Sequence, residues 1–512
     1  MKPKINSRFS RSIVLTITLG FLLPACQPDF LNEVEDNNAK ANFAQINALT
    51  TSDDIYSLTR DLTIRTLSSK IPGVGFLVGG FVNALWPGTS TDPWDQIKDR
   101  VEALIDEKIS EYNYNQVQLA LDGIKNNMDE YLWAVQNSET PTYISEKYNI
   151  VLGDILSNLP HFQANDDRVL LLPLFSQLAN LHLSLLRDGA EFGLEWGWSD
   201  VEVDRSRQQL IDAIKDYSSY ADEVYAEGLA DVESNLSSNK RVAFNKKNKY
   251  IREMTLSVLD FKEMWQYYDI SQYPDGASIY LDREIYSDVV GAYRGDKAVN
   301  LPSTPPSQPI SKLEVWGYDR IDAVRVTYPE GGGPDGVTQT KRMGNTSGGT
   351  LDSPYGGVFD LSSLPVEGVF VQYGDIMDEI QLIFSDGSQS TLLGGHYLGG
   401  HIQSTYSYPG HILSSIWING AAGSPYWSAD FGVFGFKLEN NQMVSTEALK
   451  SMYIGSPIEL SNEEINNLMG NSSSKAVSIQ SNSFPLVDSW KAERDQYWEK
   501  IGQNVEKRSG AH

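Results

Sequence analysis

Between Arg168 and Arg187 the chain reads VLLLPLFSQLANLHLSLL, residues 169–186, without a single charge. Leu171, Leu172, Leu174, Phe175, Leu178, Leu181, Leu183, Leu185 and Leu186 spread over every side of the helical wheel. A helix apolar all round has to be enclosed, by protein or by lipid. From Asp167 to Leu194 it would run about 40 Å at 1.5 Å per residue, enough to cross a bilayer core of about 30 Å. Pro173 predicts a kink or a delayed regular start. Gln177, Asn180, Ser184 and Arg187 align at offsets of 3, 4 and 3, with His182 off that line. The stretch is expected to be the central helix of a soluble bundle in the folded protein. The same helix can be a core in one state and a membrane span in another.

The flanks support the bundle. Ile251, Met254, Val258, Phe261 and Trp265 recur at helical spacing as one apolar stripe. Val101, Leu104, Ile105 and Ile109 repeat the pattern, with Asp95, Asp99, Glu102, Asp106 and Glu107 on the other faces. Amphipathic helices of this kind are expected from residue 51 to about 268.

Residues 291–309 then carry a proline-rich, aperiodic linker. Beyond it, residues 310–456 hold 23 of the 41 glycines, which is turn-rich β sequence. This half repeats itself. Leu313 and Val315, then Gly317, lead to Asp322 with Val324, Val326 and Tyr328. Val369 and Val371, then Gly374, lead to Asp378 with Ile380, Leu382 and Phe384. Ile416 and Ile418, then Gly420, lead to Asp430 with Phe434 and Phe436. Period-2 alternation puts each apolar set on one face of a sheet. Three such sheets sharing an axis predict an all-β, three-sided β-prism, so the fold class is a multidomain α and β chain, bundle first (51–290) and prism second (310–456).

The whole chain has 41 Lys and Arg against 67 Asp and Glu, a formal charge of −26. That argues against a nucleic-acid partner, which needs clustered cations. The single cysteine, Cys26, excludes a disulfide framework and a thiolate metal site in the body. Lys2, Lys4, Arg8 and Arg11 precede the short apolar run Ile13 to Leu23, so residues 1–25 read as a secretory signal. The ending Leu23-Pro-Ala-Cys26 resembles the lipobox of bacterial lipoproteins, which makes Cys26 the expected lipidation point of an exported, envelope-anchored protein; an ordinary signal peptide with an incidental cysteine, giving a secreted protein, is the alternative. Loss of residues 1–25 removes four positive charges and no acid, leaving −30. Residues 26–50 read as a tether, and 457–512 as a partly ordered tail.

No hydrolase, zinc-protease, phosphate-loop or calcium-loop motif is present. The glycines Gly73, Gly75, Gly79 and Gly80 match a dinucleotide fingerprint only loosely, and Val74 to Trp86 reads as a glycine-rich helix. His396, His401 and His411 read as turn histidines without the further ligands a metal needs. The scattered carboxylates single out no acid–base pair. The chain is expected to be no enzyme and to hold no cofactor or metal.

Three blocks carry a family resemblance. Leu178 to Asp188 with Phe192-Gly and Trp196-Gly, Arg252 to Asp260 with Tyr268-Asp, Tyr273-Pro and Arg283-Glu-Ile-Tyr286, and Ile71 to Gly80 with Trp86 and Trp94-Asp95 resemble, in order, signatures of the three-domain insecticidal delta-endotoxins, the Cry toxins. The resemblance spans about residues 55–290. It implies a seven-helix bundle and a pore-forming toxin in which a central hairpin, here Tyr143 to Leu159 and Asp167 to Leu194, inserts into the target membrane, with a homo-oligomer on insertion. Val169, Leu172, Phe175, Leu178, Leu181 and Leu185 would then meet lipid. Glu146 and Asp154 are the acidic candidates for the lumen, and Asn180, His182 and Arg187 match family positions that serve either the lumen or the bundle.

The prism also resembles jacalin-related lectins, whose apical Gly-x-x-x-Asp loop holds sugar hydroxyls. Gly374 to Asp378 has that form; Gly317 to Asp322 is one residue longer and Gly420 to Asp430 much longer. Tyr318, Tyr373, Tyr426 and Trp427 are the aromatics at hand, so Gly317, Asp322, Tyr373, Gly374, Asp378, Trp427 and Asp430 are the candidate contacts to a glycan or glycosylated receptor. A lipid-anchored lectin or adhesin without pore activity is the alternative reading. Two features depart from the family: the lipobox, and a chain end too short for its third, jelly-roll domain.

Overall fold

The computed structural model describes residues 54–439, apart from 69–70, 72, 88–91, 106, 139, 292–298, 300, 346, 375, 396–401 and 421–428. The expectations for the leader, Cys26, the tether, His396, His401, Tyr426, Trp427 and the tail lie outside these residues.

The first half is helical: α1 (Ile55–Leu67), α2 (Phe76–Leu85), α3 (Pro93–Ile105), α4 (Glu111–Asn137), α5 (Pro141–Asn158), α6 (Arg168–Phe192), α7 (Asp200–Ser234), α8 (Lys240–Met254) and α9 (Asp260–Trp265). The last two are one rod joined by a π-helical turn, Thr255–Leu259. α2 ends at Leu85, two residues before Pro87, which cannot continue a helix. The helix starts are locally specified. Ser110 Oγ caps α4, Pro141 sits in the first turn of α5, and Ser199 with Glu202 closes a capping box on α7.

α6 is the axis around which the others pack. Every residue from Leu170 to Ala190 is buried, and α2, α3, α5, α7 and α9 all lie against it. Pro173 neither ends nor delays this helix. It falls in the second turn, where its missing N–H costs one bond, to the Val169 carbonyl. Gly228 of α7 lets the partners close in: a Cβ there would stand 2.3 Å from Tyr250 Oη and 2.6 Å from Val169 Cγ1.

The second half comprises three antiparallel sheets. One has the order β5 (Met343–Gly344), β4 (Ile321–Thr327), β3 (Lys312–Gly317), β6 (Gly357–Asp360). Another runs β10 (Ile402–Ser407), β7 (Val366–Tyr373), β8 (Met377–Phe384), β9 (Leu393–Gly394). The third joins β1 (Glu284–Tyr286), β12 (Ala429–Leu438) and β11 (His411–Gly420), with β2 (Val290–Gly291) also on β12. The three sequence repeats are the hairpins β3–β4, β7–β8 and β11–β12, one per sheet, and their inward residues meet in one core that includes Val315, Val324, Val371, Ile380, Ile416 and Phe434.

One difference from the sequence reading concerns the junction. Residues 284–290 fall within the stretch bounded as the bundle and Gly291 opens the linker, yet both short strands pair with β12 and complete the third sheet, as the resemblance implies for Arg283 to Tyr286: Ile285 opposes Phe436 and Gly291 opposes Phe431. α8 holds this segment from the helical side. Asn248 Nδ2 donates to the carbonyls of Tyr286 and Ser287, Arg252 Nη1 to Tyr286 O and Asp288, and Val289 N–H donates to Asn245.

Candidate membrane-insertion helix and prism apex

α6 is the one helix among the described residues long and apolar enough to cross a membrane, by length and composition. At 25 residues it measures about 37 Å at 1.5 Å per residue. Leu172, Phe175, Leu178, Leu181 and Leu185 are fully buried and only Val169, half-buried, shows part of its side chain to water in the folded state. α5 precedes it antiparallel, through the 3-10 turn Leu159–Gln163, and buries only Tyr148, Val151 and Ile155. At the far end Tyr131, Tyr148, Trp196 and Trp198 cluster around the last turn of α6, 5.3–6.4 Å between ring centres, edge to face except for the tilted Tyr148–Trp196 pair.

The polar line of α6 is spent inside the bundle. Asn180 Oδ1 accepts from Trp265 Nε1 at 2.7 Å, and Ser184 Oγ donates back to the Asn180 carbonyl. Arg187 Nη1 donates to Tyr268 O at 2.8 Å, and His182 Nδ1 lies 2.5 Å from Tyr217 Oη. These contacts hold α6 to α7, α9 and the turn behind α9. Ser176 Oγ, Gln177 Nε2 and His182 Nε2 are buried without a hydrogen-bond partner. One member escaped the sequence reading: Asp188, fully enclosed, accepts from Gly75 N–H and Tyr131 Oη at 2.9 Å each, anchoring α2 and α4. Its signals were its place directly after Arg187 and at the end of the block Leu178 to Asp188. The acidic candidates on α5 do not face α6. Asp154 turns to α4, accepting from Asn127 and Asn158 at 2.8 Å each, and Glu146 is exposed.

In the prism the three repeat aspartates share one position. Asp322, Asp378 and Asp430 are each the extra residue of a β-bulge: Gly317 pairs with Ile321 and Trp316 with Ala323, Tyr373 with Met377 and Gln372 with Glu379, Gly420 with Ala429 and Asn419 with Phe431. Opposite each bulge sits the glycine of a two-residue edge strand: Gly344 against Ala323, Gly394 against Glu379, Gly291 against Phe431. The apolar–glycine pairs Met343-Gly344, Leu393-Gly394 and Val290-Gly291 were a sequence signal left unread.

This arrangement changes the view of the sugar contacts. Asp322 and Asp378 are buried, Asp322 beneath Gly348 and Gly349 with Asn345 against it, so both serve the bulge rather than an open rim. Burial, the leading cause, pushes the Asp322 carboxyl above its ordinary range. Tyr373 is buried too, with the Arg241 guanidinium 5.7 Å from its ring centre. The aromatic surface at this end is instead Tyr318, 61% exposed, its ring centre 5.0 Å from that of Tyr355 and tilted 42° to it, beside Gly317. Gly374 lies half-buried in the β7–β8 turn and Asp430 half-buried in its bulge. His411 is no turn residue: it opens β11, fully enclosed. Among the described residues no cluster of three or more His, Cys, Asp or Glu side chains is placed to hold a metal.

Comparison with known proteins agrees with this geometry. Residues 63–269 match the delta endotoxin, N-terminal domain, a span from α1 to the turn behind α9. Pesticidal crystal protein Cry26Aa of Bacillus thuringiensis subsp. finitimus is 35% identical over 214 residues, 40% of this chain and 18% of its own length. Cry1Cb of subsp. galleriae is 28% identical over 287 residues, 55% of this chain and 23% of its own. The chain thus spans about a fifth of the curated relatives it matches. Among solved structures, the insecticidal delta-endotoxin Cry8Ea1 from Bacillus thuringiensis superimposes with a TM-score of 0.61 at 21% identity, covering 77% of this chain and 75% of that one. PirB gives 0.61 at 16% identity, covering 77% of this chain and 96% of that one; these two likenesses speak for the fold. The helical half thus carries a delta endotoxin N-terminal domain, and the chain as a whole has the fold of the delta-endotoxins, bundle first and β-prism behind it.

Proposed function

We propose that the protein is pore-forming: the prism recognises a receptor, and the α5–α6 hairpin leaves the bundle and enters the target membrane. The observation that carries this is α6 itself, a helix of membrane-crossing length held wholly inside a ring of amphipathic helices. A hairpin satisfies its backbone internally, as lipid requires, and assembly of several copies would cover its polar line. The unpartnered Ser176, Gln177 and His182 atoms support the reading, because no hydrogen bond of theirs is lost on leaving the bundle. Liposomes loaded with dye, with and without mild proteolysis, are expected to leak, and Leu178→Glu to abolish leakage. Absence of leakage under every activation, at acidic, neutral and alkaline pH, rejects the proposal.

At the apex, the exposed Tyr318–Tyr355 pair supports recognition of a glycan or glycosylated receptor, since sugar rings stack on aromatic faces. The same pair favours the second reading, a surface lectin or adhesin whose bundle is a stalk. That reading predicts glycan-array binding, lost in Tyr318→Ala, with vesicles left intact. We further propose export and lipid attachment at Cys26; a thioether-linked lipid on Cys26, seen by mass spectrometry and absent from Cys26→Ser, tests it.

A further inference from the structure

His411 stands where four parts of the molecule meet. Its Nδ1 lies 2.9 Å from Pro409 O, which only accepts, so the ring proton is on Nδ1. Its Nε2 lies 2.7 Å from Arg283 Nη1, which only donates, so Nε2 offers its lone pair. Arg283, on the chain leading into β1, is in turn fixed by α9: Nε donates to Asp260 Oδ1 at 2.8 Å and Nη2 to the other oxygen. From α1, buried Arg60 reaches the same Pro409 carbonyl at 3.3 Å while pairing with Asp61. One imidazole therefore connects α1, α9, the segment before β1 and the start of β11.

The charged and titratable groups around it are few. Arg60 and Asp61 come from α1, Asp260 from α9, and Arg283 from the chain before β1. From the turn before β11, Tyr408 sets its ring 6.3 Å away, itself facing Arg252 of α8. From β12, Leu438 pairs with His411, and Glu439 N–H bonds to Gly410 O. A second proton on the ring would have to sit on Nε2, directly against the Arg283 N–H, with Arg60 nearby.

We propose that His411 is an acid-sensitive latch between the helical bundle and the prism, closed when the ring is neutral and opened by its protonation. Burial first, then the charges of Arg283 and Arg60, hold its pKa well below the ordinary histidine value. An opened junction, with a histidine titrating near 6.5, binds a proton that the closed one refuses. The ring's contribution to closure is therefore complete above about pH 6.5 and fades as pH falls, shifting the balance toward opening roughly thirtyfold by pH 5.0.

Hydrogen exchange of the full chain at pH 7.5 and 5.0, corrected for intrinsic rates, tests this without a membrane, so its failure leaves the pore-forming proposal standing. At pH 5.0 residues 55–67, 281–286 and 408–415 should lose protection at least tenfold while 171–186 in α6 keep theirs. His411→Gln, which retains an acceptor for Arg283 but does not titrate, should stay closed. Unchanged protection at pH 5.0, equal opening in His411→Gln, or simultaneous loss in α6 overturns the latch. Exchange at the imidazole C2 of His411 in the wild-type chain is a check that needs no variant: its midpoint must coincide with that of junction opening, and a separate midpoint overturns the proposal.

Discussion

Trp265 Nε1 donates to Asn180 Oδ1 at 2.7 Å, with both residues fully buried. The last residue of α9 thus grips the middle of α6. Trp265→Phe keeps an aromatic ring but leaves the Asn180 acceptor unpaired, which is expected to cost about 1–3 kcal/mol in denaturant unfolding. Adding Asn180→Leu should return part of that loss, and the double-mutant cycle measures the coupling.

Gly228 sets how closely α7 approaches α6 and α8. With Tyr250 Oη at 2.3 Å and Val169 Cγ1 at 2.6 Å from an added Cβ, Gly228→Ala forces helices apart, although alanine is the better helix former. A loss of about 1–3 kcal/mol is expected by thermal or urea unfolding. A gain in stability would contradict the packing described.

The glycines opposite the bulges allow a controlled comparison. Gly344, Gly394 and Gly291 have φ of 104°, 92° and 88°, and a Cβ on each would lie 2.2–2.4 Å from the carbonyl oxygen of Asp322, Asp378 or Asp430. Gly387 has φ of 80° with open space around it. Gly387→Ala should cost about 1 kcal/mol of backbone strain, whereas Gly394→Ala should cost about 3 kcal/mol or more, since the clash adds to it. Equal losses at the two positions would argue against the tight bulge.

Arg325 makes a bidentate pair with Glu314, 2.7 Å at each bond, on the outer face of the first sheet. The hydrogen bonds from Arg325 are the main reason that the Glu314 carboxyl titrates below its ordinary range. A depressed carboxylate stabilises the fold above its unfolded pKa and loses that contribution as pH falls through the folded value. Glu314→Gln should therefore cost about 1 kcal/mol at pH 7 and little at pH 3. Unfolding curves at the two pH values check the sign.

The central helix, the stripe on α8 and α9 and the three hairpins were legible because periodicity is local: each reports burial from its own neighbours. Asp322, Asp378 and Asp430 were found by the same repetition. The burial of Asp322 and Asp378 is not legible in that repetition, because it depends on segments such as Gly348 and Gly349 over Asp322 that periodicity does not connect to them. His411 looked like a turn residue amid glycines, and only the distant partners Arg283 and Asp260 make it part of a junction. Asp154 faced the wrong helix for a related reason. Helical spacing says which residues share a face, not which neighbour that face meets.

The pairing of Ile285 with Phe436 spans about 150 residues of chain. Strands β1 and β2 therefore leave the ribosome attached to the bundle and wait, unpaired, for β12. Closure of the third sheet is a late event in which main-chain donors must be found across a long loop. During that interval β1 and β2 can equally meet the β12 of another molecule, because the strand cannot tell whose partner it is. The junction that ties the two halves together is thus also the place where two chains can exchange parts, and dilution during refolding should suppress such exchanged dimers.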